Sequence, residues 1–178
     1  MTVAEKNQSL KYWDKYIRDL KRSTVVDSNE TQDEKLKRKE RLETDDEAWF
    51  KYYFPNYYSS EPAPFHLAAT KRLIKNDEWY EVRAWSRELA KSTRSMMEDL
   101  YLMLTKRKRS KLLISNSLDN AIRLMDPYRG QLEANQRIIN DYGVQRKLGS
   151  WDEAEITTKS GFSIRALGAG QSPRGTRK

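Results

Sequence analysis

The stretch Ser86-Arg87-Glu88-Leu89-Ala90-Lys91-Ser92-Thr93 decides how the rest of the chain is read. Before it, from Trp79 to Trp85, Tyr80, Val82 and Ala84 alternate with Glu81 and Arg83, which is the period of a strand. After it, Met96, Met97, Leu100, Tyr101 and Leu104 share one helical face. The basic run Lys106-Arg107-Lys108-Arg109 closes that helix, with charges that complement the dipole at its end. Lys111 to Ser115 contains Leu112, Leu113 and Ile114, a short apolar run expected of a buried parallel strand. Leu118, Ala121, Ile122 and Met125 predict a helix with Asp126-Pro127 near its end. Leu132, Gln136, Ile139 and Tyr142 predict another, ended by Gly143. Ile156 to Leu167 reads as a hairpin turning at Lys159-Ser160-Gly161. Strands and helices in alternation imply an α/β protein, with a parallel sheet flanked by helices.

Upstream, Pro55, Pro62 and Pro64 break the chain into loop. A helix then runs from Phe65 to Leu73, with Phe65, Ala68, Ala69 and Leu73 on one face and Pro64 near the first turn. The aromatic cluster Trp49, Phe50, Tyr52, Tyr53, Phe54, Tyr57 and Tyr58 marks the start of the folded body. This reading gives a charged arm over 1–48, partly helical or flexible, and a domain over 49–178. Within the arm, Tyr12, Trp13, Tyr16, Ile17 and Leu20 predict an amphipathic helix over 9–22, and 33–47 is a mixed-charge stretch with little to bury. Such an arm either docks a partner or is a solvated tail.

The quoted stretch has the makings of a phosphate site. A phosphate-binding loop follows a strand and leads into a helix that opens with Lys-Ser/Thr, so that backbone N–H groups point at phosphate oxygens. Its lysine reaches the β- and γ-phosphates and the next hydroxyl holds Mg²⁺. Lys91 is that lysine and Ser92 that hydroxyl, and Ser86 to Thr93 form the cradle. The strict pattern G-x-x-x-x-G-K-[ST] is relaxed, because Trp85 and Ala90 stand where its two glycines belong. The plain alternative is that Ser92 or Thr93 merely caps the helix.

Ser86-Arg87-Glu88-Leu89-Ala90-Lys91-Ser92-Thr93 resembles the deviant Walker A of large terminase subunits, the ATPases that drive viral DNA into capsids. In that family the motif is Ser-Arg-x-Leu-Gly/Ala-Lys-Ser/Thr-Thr. The resemblance implies that Arg87 acts on the γ-phosphate as a finger supplied in cis, with Arg87 and Lys91 the catalytic pair. The bland alternative pairs Arg87 with a surface carboxylate. It further implies that Phe65 stacks on adenine and His66 bonds the base edge, where the family more often has Gln. His66 as a purely structural histidine is the other reading. Ile114 to Ala121, Leu132 to Gly143, and Phe162 to Arg177 (above all Gly168-Ala169-Gly170-Gln171-Ser172-Pro173-Arg174-Gly175) also resemble segments of the family.

The implied fold is a partial P-loop NTPase of the ASCE type, ending at Lys178 before the Walker B strand and the nuclease domain. The expected product is therefore a fragment that turns over little ATP alone. Implied cofactors are ATP and Mg²⁺. Implied partners are double-stranded DNA, a portal protein, a small terminase subunit and sister copies in a homo-oligomeric ring, in the host cytoplasm during phage or prophage assembly.

Composition supports a phosphate-bearing partner and excludes several chemistries. The net charge is +8. Up to Ala48 there are 11 Lys/Arg against 12 Asp/Glu, and from Trp49 onward 23 against 14. The basic excess thus lies with the expected domain, where it attracts nucleotide or nucleic acid. With no cysteine and one histidine, disulfides, thiolate nucleophiles and His-based zinc sites are excluded. No apolar run approaches the roughly 18 residues of a membrane span, and an intracellular protein is expected. Two other readings remain open at this point. One is a non-catalytic nucleic-acid-binding module using Lys106 to Lys111, Arg165, Arg174, Arg177 and Lys178. The other is a different P-loop enzyme such as a helicase or nucleotide kinase.

Overall fold

Local capping chemistry sets where most of the helices begin. The computed structural model describes residues 3–58 and 60–171, with side chains from Gln8 onward except Ser9. Thr31 opens α2 (Gln32–Glu43) with a reciprocal capping box to Glu34, and Asp45 caps α3 (Asp46–Tyr53) through the Ala48 N–H. Ser117 caps α6 (Leu118–Ala134) through the Asn120 N–H, and Asn135 caps α7 (Gln136–Tyr142) through the N–H groups of Arg137 and Ile138. Each such cap stabilises its helix by about 1 kcal/mol. The remaining helices are α1 (Val3–Ser23), α4 (Pro64–Lys75) and α5 (Lys91–Leu104). The strands are β1 (Ser110–Ser115), β2 (Arg146–Trp151), β3 (Glu155–Thr158) and β4 (Ser163–Gly168).

These elements form two compact units, and the division does not fall at the 1–48 and 49–178 boundary read from the aromatic cluster. One unit is Thr31–Arg107, and the other joins the residues up to Glu30 with those from Lys108 on.

The second of these holds a four-stranded sheet in the order β1-β4-β3-β2. β1 runs parallel to β4, in register from Ser110 opposite Ser163 to Ser115 opposite Gly168. β3 is antiparallel to β4, and β2 to β3. The sheet is therefore mixed, and the expectation of a parallel sheet is corrected to one parallel pair. The cause is local: Gly161, at φ 87°, turns the chain tightly enough to pair β3 with β4 as a hairpin. α6 packs on β1 and β4, and α1 packs on α6. The last contact is close, since a Cβ on Gly130 would lie 2.3 Å from Tyr16 Cε1. Thr24 Oγ1 donates to Leu20 O (2.7 Å) and accepts from Gln136 N–H (3.0 Å), fastening the end of α1 to the start of α7. Ile156, Ile164, Ala166, Leu113, Met125 and Leu132 are buried in this unit.

Several expectations change here. β1 is an edge strand, so only Leu113 of its apolar run is inside, and Ile114 is 64% exposed. α6 continues through Pro127 to Ala134 and does not end at Asp126. β2 has no counterpart in the sequence reading, because Arg146-Lys147-Leu148-Gly149 is exposed and lacks alternation.

In the unit Thr31–Arg107, Trp49 is the hub. It is fully buried, with ring centroids 4.6 Å from Tyr53, 5.4 Å from Phe54 and 5.2 Å from Tyr101. Mutually tilted aromatic pairs of this kind are favourable beyond the area they bury. The strand expected over Trp79–Trp85 is corrected: no strand is formed there. The period-two alternation persists, but with its faces exchanged. Glu81, Arg83 and Trp85 turn inward, whereas Tyr80 and Val82 are 88% and 74% exposed. The charges decide it. Glu81 meets Arg72 at 2.6 Å and Arg83 meets Glu98 at 2.6 Å, so the polar side of the segment has partners in its own unit.

Candidate phosphate-binding loop

α5 differs from the four capped helices at its N-terminus. No side chain caps it, and its N-cap, Ala90, lies in the left-handed region at φ 51°, ψ 24°. Glu88, two residues earlier, has φ 68°. Left-handed backbone in a non-glycine residue costs about 1–2 kcal/mol. Two such residues stand in one exposed loop, and strain of this kind clusters at ligand clamps and switch regions. The first bond of the helix runs from Arg94 N–H to Ala90 O at 2.8 Å. The N–H groups of Lys91, Ser92 and Thr93 lie ahead of that bond, at the positive end of a fourteen-residue helix. A left-handed residue followed by helical ones curves successive N–H groups into a concavity suited to an anion.

The side chains around this loop are open. Ser86, Arg87, Glu88, Leu89, Ala90, Lys91 and Ser92 are exposed, and Thr93 is half-buried. Neither Ser92 nor Thr93 caps the helix, the plain alternative that their position allowed. Arg87 forms no ion pair among the described residues. Lys91 Nζ folds back to Trp85 O at 3.4 Å, a long hydrogen bond across the base of the loop.

α4 brings an aromatic cluster to the same place. Phe65 lies 4.2 Å from His66 and 5.1 Å from Trp85, centroid to centroid, and His66 lies 5.0 Å from Trp85. The Arg83 guanidinium stands 5.3 Å from the Trp85 ring centroid. Phe65 is 39% exposed and keeps surface on which a base can stack. His66 is fully engaged. Its Nδ1 accepts the Ala63 N–H at 3.1 Å, and its Nε2 lies 3.0 Å from Leu89 O. A carbonyl only accepts, so Nε2 carries the proton and the imidazole is in one neutral tautomer. Neither nitrogen is left for a base edge in this arrangement.

Behind the loop lies a charged network that the sequence reading missed. Glu98 and Arg94 have side chains only 1% and 3% exposed. Glu98 accepts from Arg83 and from the Thr70 hydroxyl, and Arg94 Nε donates to Thr70 Oγ1 at 2.8 Å. Arg94 also forks onto Glu47, and Glu47 accepts from the Tyr58 hydroxyl. Burial pushes the Glu98 carboxyl above its ordinary 4.5, a shift that the hydrogen bonds from Arg83 and Thr70 and the charges of Arg83 and Arg94 only partly oppose. The signal in the sequence was phase. Arg94 and Glu98 are four apart and fall in step with Met97 and Tyr101 on the apolar face of α5. A buried ion pair there is a partnered charge, as burial requires.

No family model matches this chain, nor does any curated protein or solved structure. The described residues contain no group of three or more His, Cys, Asp or Glu suited to a metal ion, and no helix long and apolar enough to cross a membrane. Of the residues singled out from sequence, 86–93, Phe65 and His66 gather at the mouth of α5. Arg174, Arg177 and Lys178 lie outside the described residues.

Proposed function

We propose that residues 86–93 bind the phosphates of ATP, and that this chain is the ATPase portion of a terminase-like motor that packages double-stranded DNA. The observation that carries the reading is the uncapped start of α5. It opens with Lys91-Ser92 and is entered through Ala90, which stands at the second glycine position of the strict motif and holds a left-handed backbone that glycine adopts without steric cost. A triphosphate fits this cradle on chemical grounds. Three helix-start N–H groups, the Lys91 ammonium and the Arg87 guanidinium all offer donors, and all of these residues but the half-buried Thr93 are exposed to solvent. Lys91 Nζ, now 3.4 Å from Trp85 O, would leave that carbonyl to hold the terminal phosphates. Arg87 is available to charge building on the transferred phosphoryl group. The Ser92 hydroxyl supplies a ligand to Mg²⁺, and Phe65 a stacking surface for the base. ATP, when bound, supplies the terminal phosphoryl group that is passed to water.

In the fuller form of this reading the fold is a P-loop NTPase in which extended chain, and not a strand, leads into the loop, and the partners are duplex DNA, a portal, a small subunit and further copies in a ring, within the host during phage assembly. The first test is binding. Titration with ATP in the presence of Mg²⁺ is expected to saturate, and Lys91→Ala is expected to weaken it by about a hundredfold, the loss of one charge-assisted contact. Equal affinity in the variant would sink the assignment. If instead the chain binds duplex DNA, ignores nucleotide and is indifferent to Lys91→Ala, a basic nucleic-acid-binding module is the better description.

A further inference from the structure

We infer that His66 is a positioning residue of the phosphate loop, setting the direction of its N–H groups, and not a reader of the base. The inference deepens the proposed nucleotide-binding reading and rests on it. The loop has no glycine, yet Glu88 and Ala90 both hold left-handed backbone. Such a conformation persists only where the surroundings over-determine it. Glu88, Leu89 and Ala90 are all exposed, so no core packing holds them.

The hold comes from the hydrogen bond between His66 Nε2–H and Leu89 O, at 3.0 Å. Leu89 lies between the two left-handed residues. Its carbonyl and the Ala90 N–H belong to one rigid peptide plane and point in opposite directions. Fixing Leu89 O toward the imidazole therefore turns the Ala90 N–H away from it, to the opposite side of the loop, and with it sets the start of the helix whose first N–H groups follow. His66 can do this because it is itself fixed: Ala63 N–H donates to Nδ1 at 3.1 Å, and the rings of Phe65 and Trp85 flank it. One side chain thus accepts from the start of α4 and donates to the loop.

That pair of roles makes a sharp prediction. Glutamine at 66 can accept from Ala63 N–H through its oxygen and donate to Leu89 O through its amide. Glutamate, of the same shape, can only accept, and sets its charge against a carbonyl and a phosphate site. The experiment compares wild type, His66→Gln, His66→Glu and His66→Ala in the full chain, titrated with Mg²⁺-ATP and with Mg²⁺-tripolyphosphate, which has no base. Glutamine is expected to rescue both affinities to near wild type, whereas Glu and Ala lose about tenfold or more toward both ligands alike. Should ATP affinity fall while tripolyphosphate affinity stays at the wild-type level, His66 reads the base and the inference is wrong. Glu binding as well as Gln overturns it too. Wild-type protein that binds neither ligand removes the nucleotide reading itself. If Ala fails to fold, judged by thermal unfolding, the Gln and Glu pair still decides. A double variant, His66→Ala with Ala90→Gly, is expected to regain part of the tripolyphosphate affinity, because glycine holds left-handed backbone without help.

Discussion

At the scale of single residues, burial separates the charges that matter from those that do not. Glu98 is enclosed and has three partners. Taking away its charge leaves Arg94 only Glu47 and Arg83 only the more distant Glu81 as counter-ion, so Glu98→Gln is expected to cost about 1–3 kcal/mol. The loss is read as a lower urea midpoint at unchanged slope. Lys51 and Glu61 also pair, at 3.4 Å, but their side chains are 66% and 82% exposed. There Lys51→Ala is expected to change stability by less than about 1 kcal/mol. A comparable loss at both sites would mean that burial is not what makes the α5 network costly to break.

At the scale of elements, the segment between α4 and α5 is held by its charged side, and this gives it a pH dependence of known sign. Glu81 lies below the ordinary glutamate value of 4.5. Burial works to raise it, but is outweighed by the hydrogen bonds from Arg72 and Trp79 and the charges of Arg83 and Arg72. A carboxylate held low contributes its stability in full above 4.5 and loses it as pH falls through the lower folded value. Wild type is therefore expected to lose more stability than Glu81→Gln on acidification below 4.5. The shift of Glu98 has the opposite sense, and it cancels in this comparison because both proteins carry it. Equal acid sensitivity in the two proteins would show that Glu81 has no such role.

This segment also shows where sequence reading stops. Helices were legible because apolar residues at 3.6 spacing bury one face whatever they pack against, and α1, α4, α5 and the β3–β4 hairpin follow. Alternation over 79–85 was equally visible. It fixes that two faces exist, but not which one turns inward, since that depends on Arg72 and Glu98 from distant positions. β1 read as buried for a similar reason: three apolar residues in a row do not say whether a strand has one neighbour or two. For the candidate site, the order Lys91-Ser92-Thr93 was legible as a phosphate-binding pattern. The left-handed backbone at Glu88 and Ala90 was hidden, because no glycine announced it, and the engagement of both His66 nitrogens needed the geometry.

At the scale of the whole molecule, charge is the feature with reach. From Trp49 onward 23 basic residues face 14 acidic ones, so any association with duplex DNA is carried largely by phosphate contacts and the release of counterions. Affinity for a duplex of arbitrary sequence is expected to fall at least tenfold between about 50 and 200 mM salt, with little dependence on sequence. Binding that ignores salt would argue against a role for this charge excess.

Trp85 has a practical consequence. It stands where a glycine was expected, with its indole against Phe65, the His66 imidazole and the Arg83 guanidinium, and its carbonyl under the Lys91 ammonium. An indole in such company changes its emission when its neighbours shift. The protein thus carries its own optical gauge at the loop, and Trp85→Phe is the blank against which that signal is to be recorded.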